Sequence, residues 1–189
     1  MSIKEIIGLS ITEIRYNYTY QNEYDMQEFF AYLKLSNELI IEIPQYFDLE
    51  ISEDSELNKK FKNAKKPIES CKSRIENQKI TDIHFCFYEQ KPDLELKAYI
   101  ELENGICFSE CNYGPMGITT VDLEILSNTD FEKLKTELEE GFEIKSYLSE
   151  LKNVCQQQGF RWVCNTNNET RVERNLFFFI TLWVYRKGV

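Results

Sequence analysis

Three short segments recur in the same order in the first two thirds of the chain, and this internal repeat constrains the fold more than any other feature. ITEI at 11–14 matches ITDI at 80–83, AYLKLSN at 31–37 matches AYIELEN at 98–104, and DLEI occurs at 48–51 and again at 122–125. The spacing between the matched segments is not constant, so the copies differ in the lengths of the loops between them. The repeat predicts two copies of one structural unit.

Apolar and polar residues alternate within each copy, which is typical of strands with one buried face. The Asn104-Gly105 pair has the chemistry of a type I′ hairpin turn. Each copy therefore predicts four antiparallel strands. The side chains predicted to face the core are Ile14, Tyr16, Tyr18, Phe29, Ala31, Leu33, Leu35, Leu39, Ile41 and Ile43 in the first copy, and Ile83, Phe85, Phe87, Leu96, Ala98, Ile100, Leu102, Ile106 and Phe108 in the second.

A stretch with helical character follows each DLEI segment. In the second copy Thr129 and Glu132 have the spacing of a capping box, and Gly141 is placed to end the helix. A further amphipathic helix is predicted from Ile144 to Cys155, and its counterpart in the first copy is Ile68 to Ile75. Each predicted unit is therefore a four-stranded sheet followed by helices.

The residues after Gly159 predict two more strands, in GFRWVCN and NLFFFITLWVYRK, joined by a polar turn near 165–170. A closing hairpin and a truncated third copy both fit this pattern. Leu176 to Tyr185 is apolar on both strand faces, which predicts an interior strand or an oligomer interface. The whole sequence thus predicts an α+β protein with tandem units at 1–79 and 80–159 and a C-terminal β-hairpin at 160–189, packed on the second unit.

The composition narrows the class of partner. A net charge of −10 would repel the phosphate backbone of nucleic acid and attract a basic protein. The amino terminus lacks the basic region and long apolar stretch of a signal peptide, and the longest apolar run is about half of what a spanning helix needs. Six cysteines without a CxxC pair indicate buried thiols rather than disulfides. We expect a cytoplasmic protein with no cofactor, no nucleic acid and no membrane among its partners.

Acidic residues are concentrated in the second copy, where residues 80–141 hold 14 acidic and 4 basic side chains. An inserted loop, CNYGPMGITTV, places an aromatic and a flexible apolar side chain at its tip. A solvated sheet face is the alternative interpretation of the acidic side. The residues predicted to bind a basic protein partner are His84, Tyr99, Glu101, Glu103, Asp122 and Glu124 on the non-core face, with Tyr113 and Met116 in the inserted loop.

Catalytic and metal chemistry have weaker support in the sequence. Zinc could be held by His84, Cys107 and Cys111, but two cysteines four residues apart on a strand are too distant for the usual ligand pair. No partner is evident that would orient His84 beside a nucleophilic cysteine. Glu101 and Glu103 are two residues apart on one strand and therefore share a face, which is a common pattern and does not indicate catalysis. We therefore predict no catalytic residues and no metal site.

The sequence favours a non-enzymatic cytosolic protein-binding module with an acidic face, such as an inhibitor or immunity protein of a basic, nuclease-type toxin. The first alternative is a small enzyme or ligand-binding protein with a pocket between the two repeat units. The second is a structural subunit that forms oligomers through its apolar C-terminal strand. Charge and the lack of a catalytic motif carry this ranking, because fold alone does not decide function.

Overall fold

The computed structural model of the 189-residue chain describes residues 3–21, 26–45, 55–67, 69–93, 96–111, 122–150, 160–164 and 170–174. Its contacts divide the chain into two compact units, Met1–Tyr147 and Leu148–Val189. The protein is a mixed α+β structure with antiparallel sheets, as the alternating sequence pattern predicts. Among the described residues, no helix is long and apolar enough to cross a membrane.

The first sheet is a three-stranded antiparallel meander in the order β1-β2-β3. A short 3-10 turn at Ile3–Glu5 precedes it, and two helices follow it. The first DLEI segment lies outside the described residues. The elements are β1 (Ile11–Gln21), β2 (Met26–Leu35), β3 (Ile40–Glu42), α1 (Ser55–Asn63) and α2 (Glu69–Ile75).

The second sheet has six strands in the order β5-β4-β6-β7-β8, with β9 paired to the other edge of β4. It exceeds the predicted four strands because β5 and β9 both add to β4. The elements are β4 (Ile80–Tyr88), β5 (Lys91–Pro92), β6 (Tyr99–Leu102), β7 (Ile106–Cys111), β8 (Asp122–Ser127), α3 (Asn128–Thr136) and β9 (Phe142–Ser146).

The strand pairing of the two sheets has the same register. Ile14 lies opposite Leu33 in the first sheet, and Ile83 lies opposite Ile100 in the second, so the paired residues occupy matched positions in the two repeats. Both ladders shift register directly after their first pair. The third strands, β3 and β7, join their neighbours at matching positions as well.

The first strands of the two sheets meet at matched residues. Ser10 and Lys79, which directly precede the matched ITEI and ITDI segments, pair with each other in an antiparallel bridge. The backbone hydrogen bonds around this bridge come in reciprocal pairs, because each bond has a counterpart with the two copies exchanged. They are Ile11 N to Gln78 O (3.0 Å) with Ile80 N to Leu9 O (2.9 Å), and Gly8 N to Ile80 O (2.8 Å) with Asn77 N to Ile11 O (2.7 Å).

One hydrophobic core joins the two sheets, and the predicted inward-facing rows are confirmed for most of their members. Leu33 and Ile100, at matched positions, are both fully buried in the same cluster. Side chains from the two segments before β1 and β4, such as Ile6 and Ile75, complete it. Outside this buried set are Tyr16, Leu39 and Ile106, which are partly buried at its edge, and Leu96, which lines a cavity; the side chain of Tyr18 lies outside the described residues.

The helix predicted from Ile144 to Cys155 is wrong in its first part, because Phe142–Ser146 forms strand β9 and helical residues begin at 147. β9 pairs antiparallel with β4, from His84 opposite Ser146 to Tyr88 opposite Phe142. This pairing satisfies backbone groups along the edge of β4, which a helix could not do. Hydrogen bonding to β4 therefore decides the conformation of these residues, although their apolar spacing also fits a helix.

One further prediction concerns the start of α3. α3 begins at Asn128 with Ser127 as its N-cap, whereas the capping-box spacing placed the start near Thr129. A separate prediction concerns the C-terminal hairpin. In the second compact unit, β10 (Phe160–Cys164) pairs antiparallel with β11 (Thr170–Arg174). The strand predicted at Leu176 to Tyr185 lies outside the described residues.

Candidate functional site

The outer face of the second sheet, opposite the core, carries the polar residues that the alternation predicts there. α3 lies over part of this face, and its Phe131 is almost completely buried beneath the helix. The ring of Phe131 packs against His84 with centroids 4.9 Å apart and against Tyr99 at 5.1 Å. The centre of the predicted acidic face is therefore covered by a helix.

His84 is part of a buried hydrogen-bonded pair. Its side chain is 6% exposed, and its Nε2 lies 2.8 Å from Glu101 Oε2. The hydrogen bond from His84 lowers the pKa of Glu101 and outweighs the opposing effect of burial. Because an ionised carboxylate only accepts hydrogen bonds, the Nε2 carries the hydrogen and donates it.

Asp82, His84 and Glu101 are the described residues whose side chains come close enough to hold a metal ion, with ligand atoms within 4.8 Å of one another. Both Asp82 oxygens already accept hydrogen bonds, one from Ile83 N at 2.8 Å and one from the Ser146 hydroxyl. The His84 Nδ1 is buried without a hydrogen-bond partner in the described part of the chain, although metal-bound histidines normally donate from their second nitrogen. The arrangement fits a structural polar cluster better than a metal site.

The cysteines of this face are not activated. Burial raises the pKa of Cys86 to about 12, and it has the same effect on Cys107. A thiol with so high a pKa is neither a good nucleophile nor a ready metal ligand. Cys111, the third residue of the zinc set considered from the sequence, has its side chain outside the described residues. The structure brings His84 together with carboxylates rather than with thiols.

The first sheet has a related polar pair at the matched positions. Arg15 corresponds to His84 and Glu13 to Asp82 when the ITEI and ITDI segments are aligned. The Arg15 Nε donates to Glu13 Oε1 at 2.9 Å, and the guanidinium lies over the Phe61 ring at 4.7 Å. A hydrogen-bonded polar pair that packs against a helix aromatic ring is thus a feature of both sheets, which supports a structural role for the His84 cluster.

Most of the predicted partner-binding residues on the sheet already make internal bonds. Glu101 binds His84, Glu124 accepts from the Tyr99 hydroxyl at 2.7 Å, and the exposed Glu103 accepts from Lys79 N at 3.2 Å. Their carboxylates are therefore partly committed to the fold. The predicted residues outside the described part are Tyr113 and Met116, and the side chain of Asp122.

An exposed aromatic residue marks a different candidate surface, at the end of β4. Among the described residues, Tyr88 is the large hydrophobic residue that is exposed to solvent, at 45%. Its ring packs on Phe142 of β9 with centroids 4.7 Å apart. Gly141 passes close to the Tyr88 ring, because a Cβ at Gly141 would lie 3.1 Å from it. Packing from β9 therefore holds Tyr88 in place at the surface.

Exposed carboxylates lie around this ring. Glu89 follows Tyr88 in the β4–β5 turn, and its backbone N donates to Gly141 O at 2.8 Å. Glu139 and Glu140 precede Gly141, so the two turns are adjacent. Neither glutamate, nor Glu89, forms an ion pair with a residue in the described ranges. We call Tyr88, Glu89, Glu139 and Glu140 the Tyr88 surface.

Sequence reasoning missed the Tyr88 surface because it joins two turns that are far apart in the chain. One signal was available in the sequence: an aromatic residue, Tyr88, ends an alternating strand on its polar face and is followed directly by Glu89. Its acidic neighbours, Glu139 and Glu140, become visible only once β9 pairs with β4.

No family model matches the sequence, and neither a curated protein nor a solved structure is significantly similar to it. The geometry and charge of the chain itself therefore carry the functional argument. Its strongest elements are the exposed Tyr88 and the carboxylates around it.

Proposed function

We propose that this protein is a non-enzymatic binding module that recognises a basic protein partner through the Tyr88 surface. The observation that carries the proposal is an exposed aromatic ring, held by Phe142, beside glutamates at 89, 139 and 140 that form no ion pair in the described chain. Aromatic residues at interfaces supply much of the affinity, whereas surrounding charges raise the association rate and the specificity. This combination fits a partner with a basic surface.

The charge distribution supports a strongly basic partner. Residues 80–141 hold 14 acidic and 4 basic side chains, and the Tyr88 surface lies largely within this segment. The finer proposal is an inhibitor or immunity protein of a basic, nuclease-type toxin, acting in the cytoplasm. Such a protein needs no catalytic group, and a strong opposite charge gives it fast association.

We further infer that the first compact unit contains two tandem copies of one ancestral unit. The matched register of strand pairing and the reciprocal hydrogen bonds at Ser10 and Lys79 support this inference. Strand β9 exists only beside the second copy among the described elements, and it supplies Phe142 behind Tyr88. The binding surface would then be an addition to one copy. We also propose that the chain ends in a C-terminal β-hairpin, and the antiparallel pairing of β10 with β11 supports this.

The test is capture of a partner from the source cell by the immobilised full chain, compared with two variants. The first variant is Tyr88→Ala, and the second reverses charge at Glu89, Glu139 and Glu140 to Lys. The matched control reverses three exposed carboxylates of the first half to Lys, at Glu38, Glu56 and Glu69. Both triple variants change the net charge equally, so a difference between them reports position and not total charge.

We expect the wild type and the control to retain a basic protein that both Tyr88-surface variants lose. With that protein purified, association of the charge-reversed variant should be slower and less dependent on salt. Equal capture by all four proteins would remove the Tyr88 surface as the binding site. Nuclease activity of the captured protein, measured with and without the wild type, then decides between inhibition and binding alone.

A further inference from the structure

A cavity of about 380 Å³ lies on the outer face of the second sheet, between the sheet, the end of α3 and β9. Its volume falls within the range of about 300 to 1,000 Å³ that is usual for binding pockets. Cys86, Tyr99 and Glu124 lie on this face of strands β4, β6 and β8 and form its floor. It is not the pocket between repeat units that the sequence suggested, because its lining comes from the second repeat alone.

The position of α3 explains why the space exists. Phe131, on the first half of the helix, packs over His84 and Tyr99. The helix ends at Thr136, and the chain then runs to β9. The sheet beyond Tyr99 is therefore bordered by α3 and β9 without a large side chain such as Phe131 over it. The walls are apolar and gain free energy when an apolar group replaces water, and they come from Leu134, Leu138, Phe142 and Ile144.

Glu124 places a carboxylate at the floor of the cavity. It lies opposite Ser109 on β7 and shares a sheet face with Tyr99, whose hydroxyl donates to Glu124 Oε2 at 2.7 Å. Burial raises the pKa of the Cys86 thiol to about 12, and the charges of Asp93 and Glu124 add to the rise. The Glu124 carboxylate is thus within electrostatic reach of two other residues of the floor. Within the described ranges it forms no ion pair.

Glu139 adds a second carboxylate, which is exposed. Two other glutamates near the cavity are engaged elsewhere, because Glu110 bonds to the first sheet and Glu143 pairs with Lys145 at 3.0 Å. Lys97 contributes one positive charge to the lining. Two carboxylates and one ammonium leave a net negative charge, which attracts a cationic group and repels an anionic one.

The cavity adjoins the Tyr88 surface through two shared residues. Phe142 lines the cavity and also packs on the Tyr88 ring, with centroids 4.7 Å apart. Glu139 lines the cavity and belongs to the Tyr88 surface. A partner that covers Tyr88 can therefore reach the cavity with a single side chain. Side chains that fill pockets in this way often supply a large share of the binding energy.

We propose that the cavity receives a lysine side chain of the basic partner, with its aliphatic stem against Leu134 and Leu138 and its ammonium at Glu124. This inference rests on the proposed function, because the lysine belongs to the protein that docks on the Tyr88 surface. A lysine matches both parts of the cavity, since it carries a charged head on an apolar stem. An arginine fits less well, because the Tyr99 hydroxyl already engages one Glu124 oxygen and a two-pronged guanidinium contact uses both.

The test is an NMR titration of the full chain with blocked single amino acids. The probes are the N-acetyl, N-methylamide derivatives of lysine, of arginine and of norleucine, which keeps most of the lysine stem without the charge. Glu124→Gln removes the charge and keeps an acceptor for the Tyr99 hydroxyl, and Leu134→Trp fills the space. Glu69→Gln is the matched control, because it removes an exposed carboxylate of the first repeat. Melting temperatures of the variants confirm that they are folded.

We expect the lysine derivative to bind about fivefold more tightly than the norleucine derivative, and the arginine derivative to bind more weakly than lysine. Glu124→Gln should reduce lysine binding to the level of norleucine, Leu134→Trp should weaken both, and Glu69→Gln should change neither. The proposal would be overturned by no measurable binding of the lysine derivative, by equal binding of lysine and norleucine, by tighter binding of arginine, or by lysine binding that Glu124→Gln leaves unaffected.

The purified partner separates failure of this inference from failure of the proposed function. We expect Leu134→Trp to weaken binding of the partner about tenfold or more. Full affinity in Leu134→Trp and Glu124→Gln, together with loss of binding in Tyr88→Ala, would overturn the role of the cavity and leave the Tyr88 surface as the binding site. Binding that Tyr88→Ala leaves intact would remove the proposed function, whereas the comparison of lysine with norleucine needs no partner and tests the cavity by itself.

Discussion

Glu110 links the two sheets through a single buried side chain. It belongs to β7, and it accepts from the backbone of Ala31 in β2 at 2.7 Å. Burial raises its pKa from 4.5 to about 7. The unfolded chain therefore releases this proton at a lower pH than the folded chain. Its stabilising contribution is complete below about pH 4.5 and is lost as the pH rises through 7.

We predict that Glu110→Gln removes this loss of stability. The full effect corresponds to about 3 kcal/mol, of which about 2 kcal/mol falls between pH 5 and 8. The free energy of unfolding of the wild type, relative to the variant, should fall by that amount over this range. Urea denaturation at several pH values measures the difference.

Glu110→Ala is the matched control for the hydrogen bond. It removes the same titration but also leaves Ala31 N without its acceptor, so it should be less stable than Glu110→Gln at every pH by about 1 to 3 kcal/mol. If the free energy of unfolding of the wild type and both variants had the same dependence on pH, burial would not raise the pKa of Glu110.

Residue patterns predicted which sheet face each side chain occupies, but not what covers it. His84 and Glu101 lie on the non-core face as expected, yet α3 buries the histidine. Glu110 carried a readable signal, because it shares its strand face with Phe108 and matches Ile43 in the first copy. A glutamate at a core position needs a specific partner. Alternation alone does not identify Ala31 N as that partner.

The start of α3 offers a direct test at the scale of an element. The Ser127 hydroxyl accepts from Asp130 N at 3.2 Å and lies 2.6 Å from the Asp130 carboxylate. We predict that Ser127→Ala lowers the free energy of unfolding by about 1 kcal/mol, as loss of an N-cap usually does. Thermal or urea denaturation measures this change.

Thr129→Ala distinguishes the observed cap from the one that the sequence spacing suggests. Thr129 is exposed within the first turn of α3 and is not the N-cap. Its replacement should change stability by less than about 0.5 kcal/mol. A larger loss at Thr129 than at Ser127 would place the start of the helix where the capping-box spacing put it.

Elements with a strong alternating pattern were predictable, and those that depend on a distant partner were not. The register of β1 with β2, and of β4 with β6, follows from the rows around Leu33 and Ile100. β9 was mistaken for a helix because Ile144 fits a helical stripe as well as a strand. The edge of β4 decides between the two, and this edge is a property of the assembled sheet.

At the scale of the whole molecule, the two halves of the first compact unit share one core. The buried cluster contains side chains from both sheets, and reciprocal backbone bonds cross at Ser10 and Lys79. Ala98 N donates to Pro44 O at 2.7 Å, and this backbone bond is a second link between the halves, beside the bond from Ala31 N to the Glu110 side chain. Each half alone would expose the apolar face that the other half covers.

We therefore predict that a chain of residues 1–150 unfolds in one cooperative transition, whereas chains of 1–67 and 68–150 do not fold separately. Exposure of the shared core leaves each half with too little buried apolar area to offset its conformational entropy. Circular dichroism during thermal unfolding measures cooperativity in all three chains. The two halves, mixed in equal amounts, should regain near-ultraviolet signal because their surfaces are complementary. A sharp transition in either half by itself would instead show that each repeat is an independent domain, and the bonds at Ser10 and Lys79 would then join two finished units rather than complete one.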